Sequence, residues 1–354
     1  MNNNRIVSVD MLKIFSMFMV LLVHSIYYGL YETYLFPMDG SSCDLHFFLD
    51  IIKAYSIELV FLVASTCVNC FILCTGYLTI SREGYGLNSL MRIYIRILFY
   101  TLCLMFLSYL LFDSVIDYKC FFPLLTGKYW FCSAYFAMMF MAPFVSKLSN
   151  NIKRKEYLLL LLVLFCLTTW PLFGRLHHEN MKPLFFVFVY LLGGFLKLYY
   201  YDLPKIIKAH SLSVLLLFLV TITSAYLLYT MCLGEFKLHM FSYNNIITLT
   251  LSVLFFVNFQ KISPSKIIRF ISKLAPYTFS VYLIHSNQYV WPLFFTICQE
   301  LPPSYFAISN LIFCVIVFFI CILIDIVVEK VFVSLHVYKY IKTLSGYLER
   351  KLTI

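Results

Sequence analysis

The chain has 354 residues, of which 62% are hydrophobic and only 12% charged. Ordinary soluble domains carry about 25% charged residues, so this balance excludes a soluble globular protein and points to a polytopic membrane protein. The net charge of +10 does not indicate nucleic acid, because the basic residues sit beside apolar runs, where the positive-inside rule and anionic lipid account for them.

A transmembrane helix needs about 20 apolar residues, and the sequence offers about ten such stretches. Helices are predicted near 7–28, 57–80, 92–112, 129–146, 157–173, 183–201, 211–233, 242–259, 275–297 and 306–332. The breaks carry turn residues or charge, as in Pro37-Met38-Asp39-Gly40, Ser81-Arg82-Glu83-Gly84 and Leu301-Pro302-Pro303. The longest predicted loop, roughly 29–56, is acidic and holds Lys53 as its only basic residue. Most Lys and Arg fall in the N-terminus, the even-numbered loops and the C-terminal tail, which predicts that both termini are cytoplasmic. The expected fold is therefore all-α: one membrane-embedded bundle over residues 1–354, with no separate soluble domain and no signal peptide before the first span. Cysteine spacing suggests no metal site. Cys43 and Cys120 fall in predicted outer loops, and the sequence leaves open whether they pair.

Ionisable groups inside a span cost about 2.5–3.5 kcal/mol each on insertion scales and usually mark function. In the first predicted helix, Lys13 and His24 lie about three turns apart on one face, roughly 16 Å along the axis, with Asp10 within about 60° of both. Glu58 follows near the outer end of the second span. Arg92 and Arg96 share a face at the start of the third. Trp130 and Tyr135 lie on the fourth, and Tyr282 and His285 on the ninth, followed by Asn287 and Gln288. Asp325 is a further intramembrane acid, suited to be a counter-ion for Lys13 or an arginine.

Taken in order, these residues resemble the acyltransferase-3 family of integral-membrane O-acyltransferases. Asp10-x-x-Lys13 and His24 are similar to the family's first-helix motif. Thr75-Gly76-Tyr77 resembles the Ser-Gly-Tyr that closes its second helix. Arg92 and Arg96 resemble its arginine pair, at a spacing of four instead of the commoner three. Tyr129-Trp130-Phe131 with Tyr135 and Pro143 resembles the fourth-helix pattern, and Tyr282-Leu283-Ile284-His285 is similar to Tyr-Leu-x-His. The resemblance implies transfer of an acyl group, most often acetyl, from cytosolic acyl-CoA to a sugar hydroxyl. O-antigen, capsule and other surface or lipid-linked glycans are the expected acceptors, and the bacterial inner membrane is the expected location.

Within that reading His24 suits a general base, since imidazole titrates near neutral pH, or a direct acyl carrier. Lys13 suits polarising the donor or pairing with Asp10. The planar, permanently charged guanidinium groups of Arg92 and Arg96 suit the phosphates of CoA, with snorkelling at the membrane edge as the plainer reading. Glu58 suits orienting the imidazole or binding sugar. Trp130 and Tyr135 suit stacking on sugar or adenine, or an aromatic belt. Tyr282 and His285 suit acceptor binding, a relay, or a packing cluster between helices. Acetyl-CoA is the expected co-substrate, with no metal. A small-molecule transporter and a glycan polymerase are the alternatives. The polymerase fits less well, because the long outer loop lacks arginine. The acceptor sugar, its hydroxyl position and the oligomeric state are not readable from the sequence.

Overall fold

The computed structural model describes residues 6–30, 36–37, 45–82, 84, 86–169, 182–202, 205–233, 235–236, 242–301 and 306–352. Cys43 lies outside them. In chain order the helices are α1 (Val7–Leu30), α2 (Leu45–Ala64), α3 (Cys67–Thr79), α4 (Leu87–Phe112), α5 (Trp130–Asn151), α6 (Arg154–Thr168) and α7 (Lys182–Tyr199), followed by α8 (Lys205–Leu233), α9 (Ile246–Phe259), α10 (Lys266–Ser272), α11 (Phe279–His285), α12 (Trp291–Glu300), α13 (Phe306–Ser334) and α14 (Val337–Leu352). Among the described residues seven helices are long and apolar enough to cross a membrane. The count becomes eight if Lys266–Tyr277 and Phe279–His285, bent by 46°, form one span. The polytopic helical bundle is as expected.

Four expectations need correction, three in the loops and later spans and one in the second span. The ninth span is not a continuous helix over 275–297. A 3-10 turn at Ala275–Tyr277, with Pro276 in its first positions, precedes α11. After His285 the chain turns again, where the Asn287 side chain accepts from the backbone N–H of Tyr289 at 3.0 Å, before α12 begins at Trp291. The predicted loop 29–56 is also too long, since α2 already starts at Leu45 and holds Lys53 within it. The scattered charges Asp50, Lys53 and Glu58 mask the helical period there. Finally, α9 has 14 residues, about 21 Å of helix, too short for a hydrocarbon core of about 30 Å.

The second span, predicted over 57–80, is longer, Ile51–Thr79, and is interrupted at Ser65 and Thr66. Their hydroxyls donate to the carbonyls of Phe61 and Val63 at 2.8 and 2.7 Å, which competes with the backbone ladder.

The chain forms two compact units. One comprises Met1–Cys74, Tyr199–Thr278 and Leu293–Phe319. The other comprises Thr75–Leu198, Phe279–Pro292 and Ile320–Ile354. In the first, α1 packs on α2, α9 and α10. Phe15 sits between Phe255 and Phe259, 5.3 Å from each, and Phe18 meets Phe318 edge-on at 5.6 Å. In the second, α3 and α7 approach closely enough that a Cβ on Gly76 would lie 1.9 Å from the carbonyl oxygen of Tyr190. Gly194 gives the reciprocal clearance to Ile80, at 2.5 Å. Lipid supplies no hydrophobic drive between spans, so such small-residue contacts take its place.

Candidate active site

In the first unit α1 runs without a break from Val7 to Leu30, so the face predicted from spacing is preserved. Asp10 is buried, while Lys13 and His24 are half-buried. The His24 ring lies edge-on to Tyr28 one turn later, with centroids 6.5 Å apart. Tyr28 in turn meets Phe295 of α12 at 5.6 Å. At the other end of the stripe the Cys74 thiol donates to the carbonyl of Val9 at 3.9 Å and lies within electrostatic reach of both Lys13 and Asp10. Glu58 is buried on α2 within electrostatic reach of Tyr226 on α8. The preceding residue, Ile57, packs against Ile26 of α1.

The second unit brings the two arginines to one residue that the sequence reading passed over. The Arg96 guanidinium donates to Asp325 at 3.0 Å, to Glu329, and to the Tyr338 hydroxyl at 3.1 Å. Tyr338 donates on to Glu329, and Tyr100 donates to the other Asp325 oxygen at 2.7 Å. The Arg92 guanidinium lies over the Tyr338 ring, 4.6 Å from its centroid, and its Nε donates to Asn88 at 3.4 Å. Two guanidinium groups and the Glu329 carboxylate thus meet around the Tyr338 phenol, and Asp325 joins the cluster through Arg96. Burial, with Glu329 beside it, pushes the Tyr338 hydroxyl up to about 12, so it keeps its proton and can donate. Arg96 is committed to this cluster, whereas Arg92 is exposed. Asp325 and Glu329 are four residues apart, matching Arg92 and Arg96, so the charge complementarity of two one-turn pairs was visible in the sequence. Tyr338 gave no such signal, since it lies beyond the last predicted span.

The remaining candidates form an aromatic wall. Trp130 meets Phe131 and Phe186 at 6.0 and 6.3 Å, and the Lys182 ammonium lies 5.1 Å over its ring. Phe131 stacks on Tyr135 at 5.9 Å and meets Tyr282 edge-on at 5.7 Å. The Tyr135 hydroxyl is 3.5 Å from that of Thr75. A second chain of hydroxyls, also unanticipated, links Thr79, Tyr190 and Ser146 at 3.1 and 2.9 Å. It lines a cleft under Arg82.

His285 is buried with both ring nitrogens occupied. Nδ1 donates to the carbonyl of Val281, and Nε2 is 3.1 Å from the Ser286 hydroxyl. Beside it Asn287 donates to the Tyr129 hydroxyl at 2.8 Å, which donates to the carbonyl of Leu283 at 2.9 Å. On the adjoining loop Lys128 bridges Gln288 and Asp117, the latter at 2.6 Å. That hydrogen bond holds the Asp117 carboxyl below the usual carboxylate range.

A family model described as an acyltransferase domain matches residues 6–329. The chain belongs to the acyltransferase-3 family. No curated protein and no solved structure matches it. The protein is a membrane acyltransferase, and its matched stretch takes in the α1 stripe and ends on Glu329, the second carboxylate partner of Arg96. No group of three or more potential metal ligands occurs among the described residues. The family match leaves α14 outside it, although Tyr338 of that helix joins the arginine cluster.

Proposed function

We propose that this acyltransferase moves an acetyl group from acyl-CoA to a hydroxyl of a surface or lipid-linked glycan, in a bacterial inner membrane. The observation that carries the reading is the α1 stripe: an acid, a base and an imidazole on one unbroken helix, inside a chain of this family. The chemistry needs a group to take the hydroxyl proton, a cation to polarise the thioester carbonyl, and a grip on the anionic donor. His24 takes the proton as the hydroxyl oxygen attacks the carbonyl carbon. The C–S bond then breaks and the thiolate leaves with a proton from the imidazolium. In the acyl-carrier variant the imidazole nitrogen attacks first and the hydroxyl second. Lys13 polarises the donor. Arg92 is the better-placed phosphate ligand, because most of its donors are not engaged by protein, while Arg96 anchors the cluster.

The test uses purified protein in vesicles with radiolabelled acetyl-CoA and host glycan. Label covalently in the glycan, lost in His24→Ala at normal protein levels, supports the proposal. Full transfer by His24→Ala would remove His24 from the mechanism. One observation favours a second reading, transport of a small acid or sugar: two spans are broken, at Ser65-Thr66 and around His285, as transporter helices often are. Label that accumulates unmodified inside the vesicles would decide for it.

A further inference from the structure

The last span ends at Ser334. The chain turns through Leu335 and His336, where His336 adopts a left-handed φ of 56°, and continues as α14. At 100° per residue α14 has three faces. One is turned into the protein. Ile341 and Ser345 are 5% and 2% exposed, Tyr338 meets the arginines, and Glu349 accepts the N–H of Leu87 at 2.9 Å, capping the start of α4. The second face is largely apolar and exposed: Tyr340, Leu344, Tyr347 and Leu348 are 70%, 50%, 48% and 38% exposed, and Lys351 shares it, its ammonium 5.0 Å over the Tyr347 ring. The third is basic and exposed, with Lys339, Lys342 and Arg350. The three directions lie roughly a third of a turn apart.

We propose that α14 lies in the plane of the membrane surface, sinks Tyr340, Leu344, Tyr347 and Leu348 among the acyl chains, and binds anionic phospholipid headgroups through Lys339, Lys342 and Arg350. Three features favour lipid over a protein partner. The helix follows a membrane span after a two-residue turn, so it starts at the bilayer surface. Its uncovered apolar face joins two tyrosines to two leucines, the mixture suited to the headgroup boundary. The only acid within it, Glu349, is used to cap α4, so the outward charge is purely basic and complements an anionic leaflet. Each such residue near the surface favours anionic lipid by roughly fivefold.

The experiment places full-length protein carrying Tyr347→Trp in nanodiscs of phosphatidylcholine with 30 mol % phosphatidylglycerol, with one lipid or the other brominated on its acyl chains. Emission of the unsubstituted protein is subtracted to remove the three native tryptophans. Quenching per brominated lipid should be at least about threefold greater for phosphatidylglycerol. The preference should fall toward equality in the added triple variant Lys339→Gln/Lys342→Gln/Arg350→Gln, which keeps Lys351 as its only exposed basic residue on α14 and whose exposed positions leave the fold intact. Equal quenching before those substitutions would overturn the headgroup assignment. Absence of quenching by either lipid would show that protein, such as a second copy, covers the face. The optical readout does not depend on acyl transfer.

Discussion

The α1 stripe and the Arg96 cluster both place ionisable groups in membrane helices, yet they do so in opposite ways. Along α1, Asp10, Lys13 and His24 are strung over about four turns, too far apart for one carboxylate to neutralise the whole face. Around Arg96, four charges converge within hydrogen-bonding or stacking distance and sum to zero. Leaving ionisable groups dispersed along a buried face carries a cost that a reaction can justify. A converged cluster is what holds helices together. Family motif residues therefore divide into those that do chemistry and those that support the groups that do, and each variant below tests on which side a residue falls.

The largest effect belongs to the stripe. Removing a positioned acid–base group typically costs about 10²–10⁴-fold in rate, so His24→Ala should lose acyl transfer by that order. Its melting temperature in detergent should stay close to that of the parent. A fall in melting temperature matching the loss of activity would move His24 to the structural side.

Asp325→Ala should do the reverse. It takes away one of the two carboxylates that hold the Arg96 guanidinium and leaves Glu329 as its remaining ion-pair partner, so the cost stays below the about 3–5 kcal/mol of leaving a buried charge wholly unpaired. With Glu329 and Tyr338 still on a slightly exposed Arg96, the expectation is about 1–2 kcal/mol, on the scale of one lost charge-assisted hydrogen bond. The melting temperature should drop by several degrees, and the double variant Arg96→Met/Asp325→Leu should recover part of it. An unchanged melting temperature for Asp325→Ala would show that the cluster holds nothing.

Gly76 tests a motif residue whose reason is steric. Alanine there meets the Tyr190 carbonyl at 1.9 Å, and since backbone cannot rotate away, α3 and α7 must part. Overpacking of this kind costs about 1–3 kcal/mol. Thermal unfolding of Gly76→Ala should show it, whereas Gly346→Ala, with nothing within 4 Å of the added methyl, should not.

Most of this division is only half visible in the sequence. The α1 stripe could be read because helical periodicity and the cost of charge in lipid are local rules, and α1 obeys them without interruption. The helical class followed from composition for the same reason. The ninth span misled, because its apolar content conceals a proline turn and an asparagine turn that only the surrounding packing lets form. The Gly76–Tyr190 approach and the meeting of Arg92 and Arg96 on Tyr338 are long-range, and Tyr338 comes from a helix that composition marks as tail. Asp325 is legible as a counter-ion for Lys13 or an arginine and pairs with Arg96, while Glu329 could have been read from its matched spacing. That Arg96 takes both carboxylates and leaves Arg92 exposed could not.

That last asymmetry gives the finest test. Both arginines match one motif, yet only Arg92 has donors to offer a phosphate. Arg92→Ala should raise KM for acetyl-CoA by about tenfold, the loss expected for one charge-assisted contact, with kcat and melting temperature little changed. The parent should prefer acetyl-CoA over its analogue lacking the 3′-phosphate, and Arg92→Ala should lose that preference if this phosphate is the one held. Arg96→Ala should instead behave like Asp325→Ala, with a lower melting temperature and activity falling only in step with folded protein. If Arg96→Ala raised KM selectively while staying folded, the cluster would have to open when the donor arrives, and the line drawn between chemistry and support would shift from α1 against α4 to Tyr338 itself.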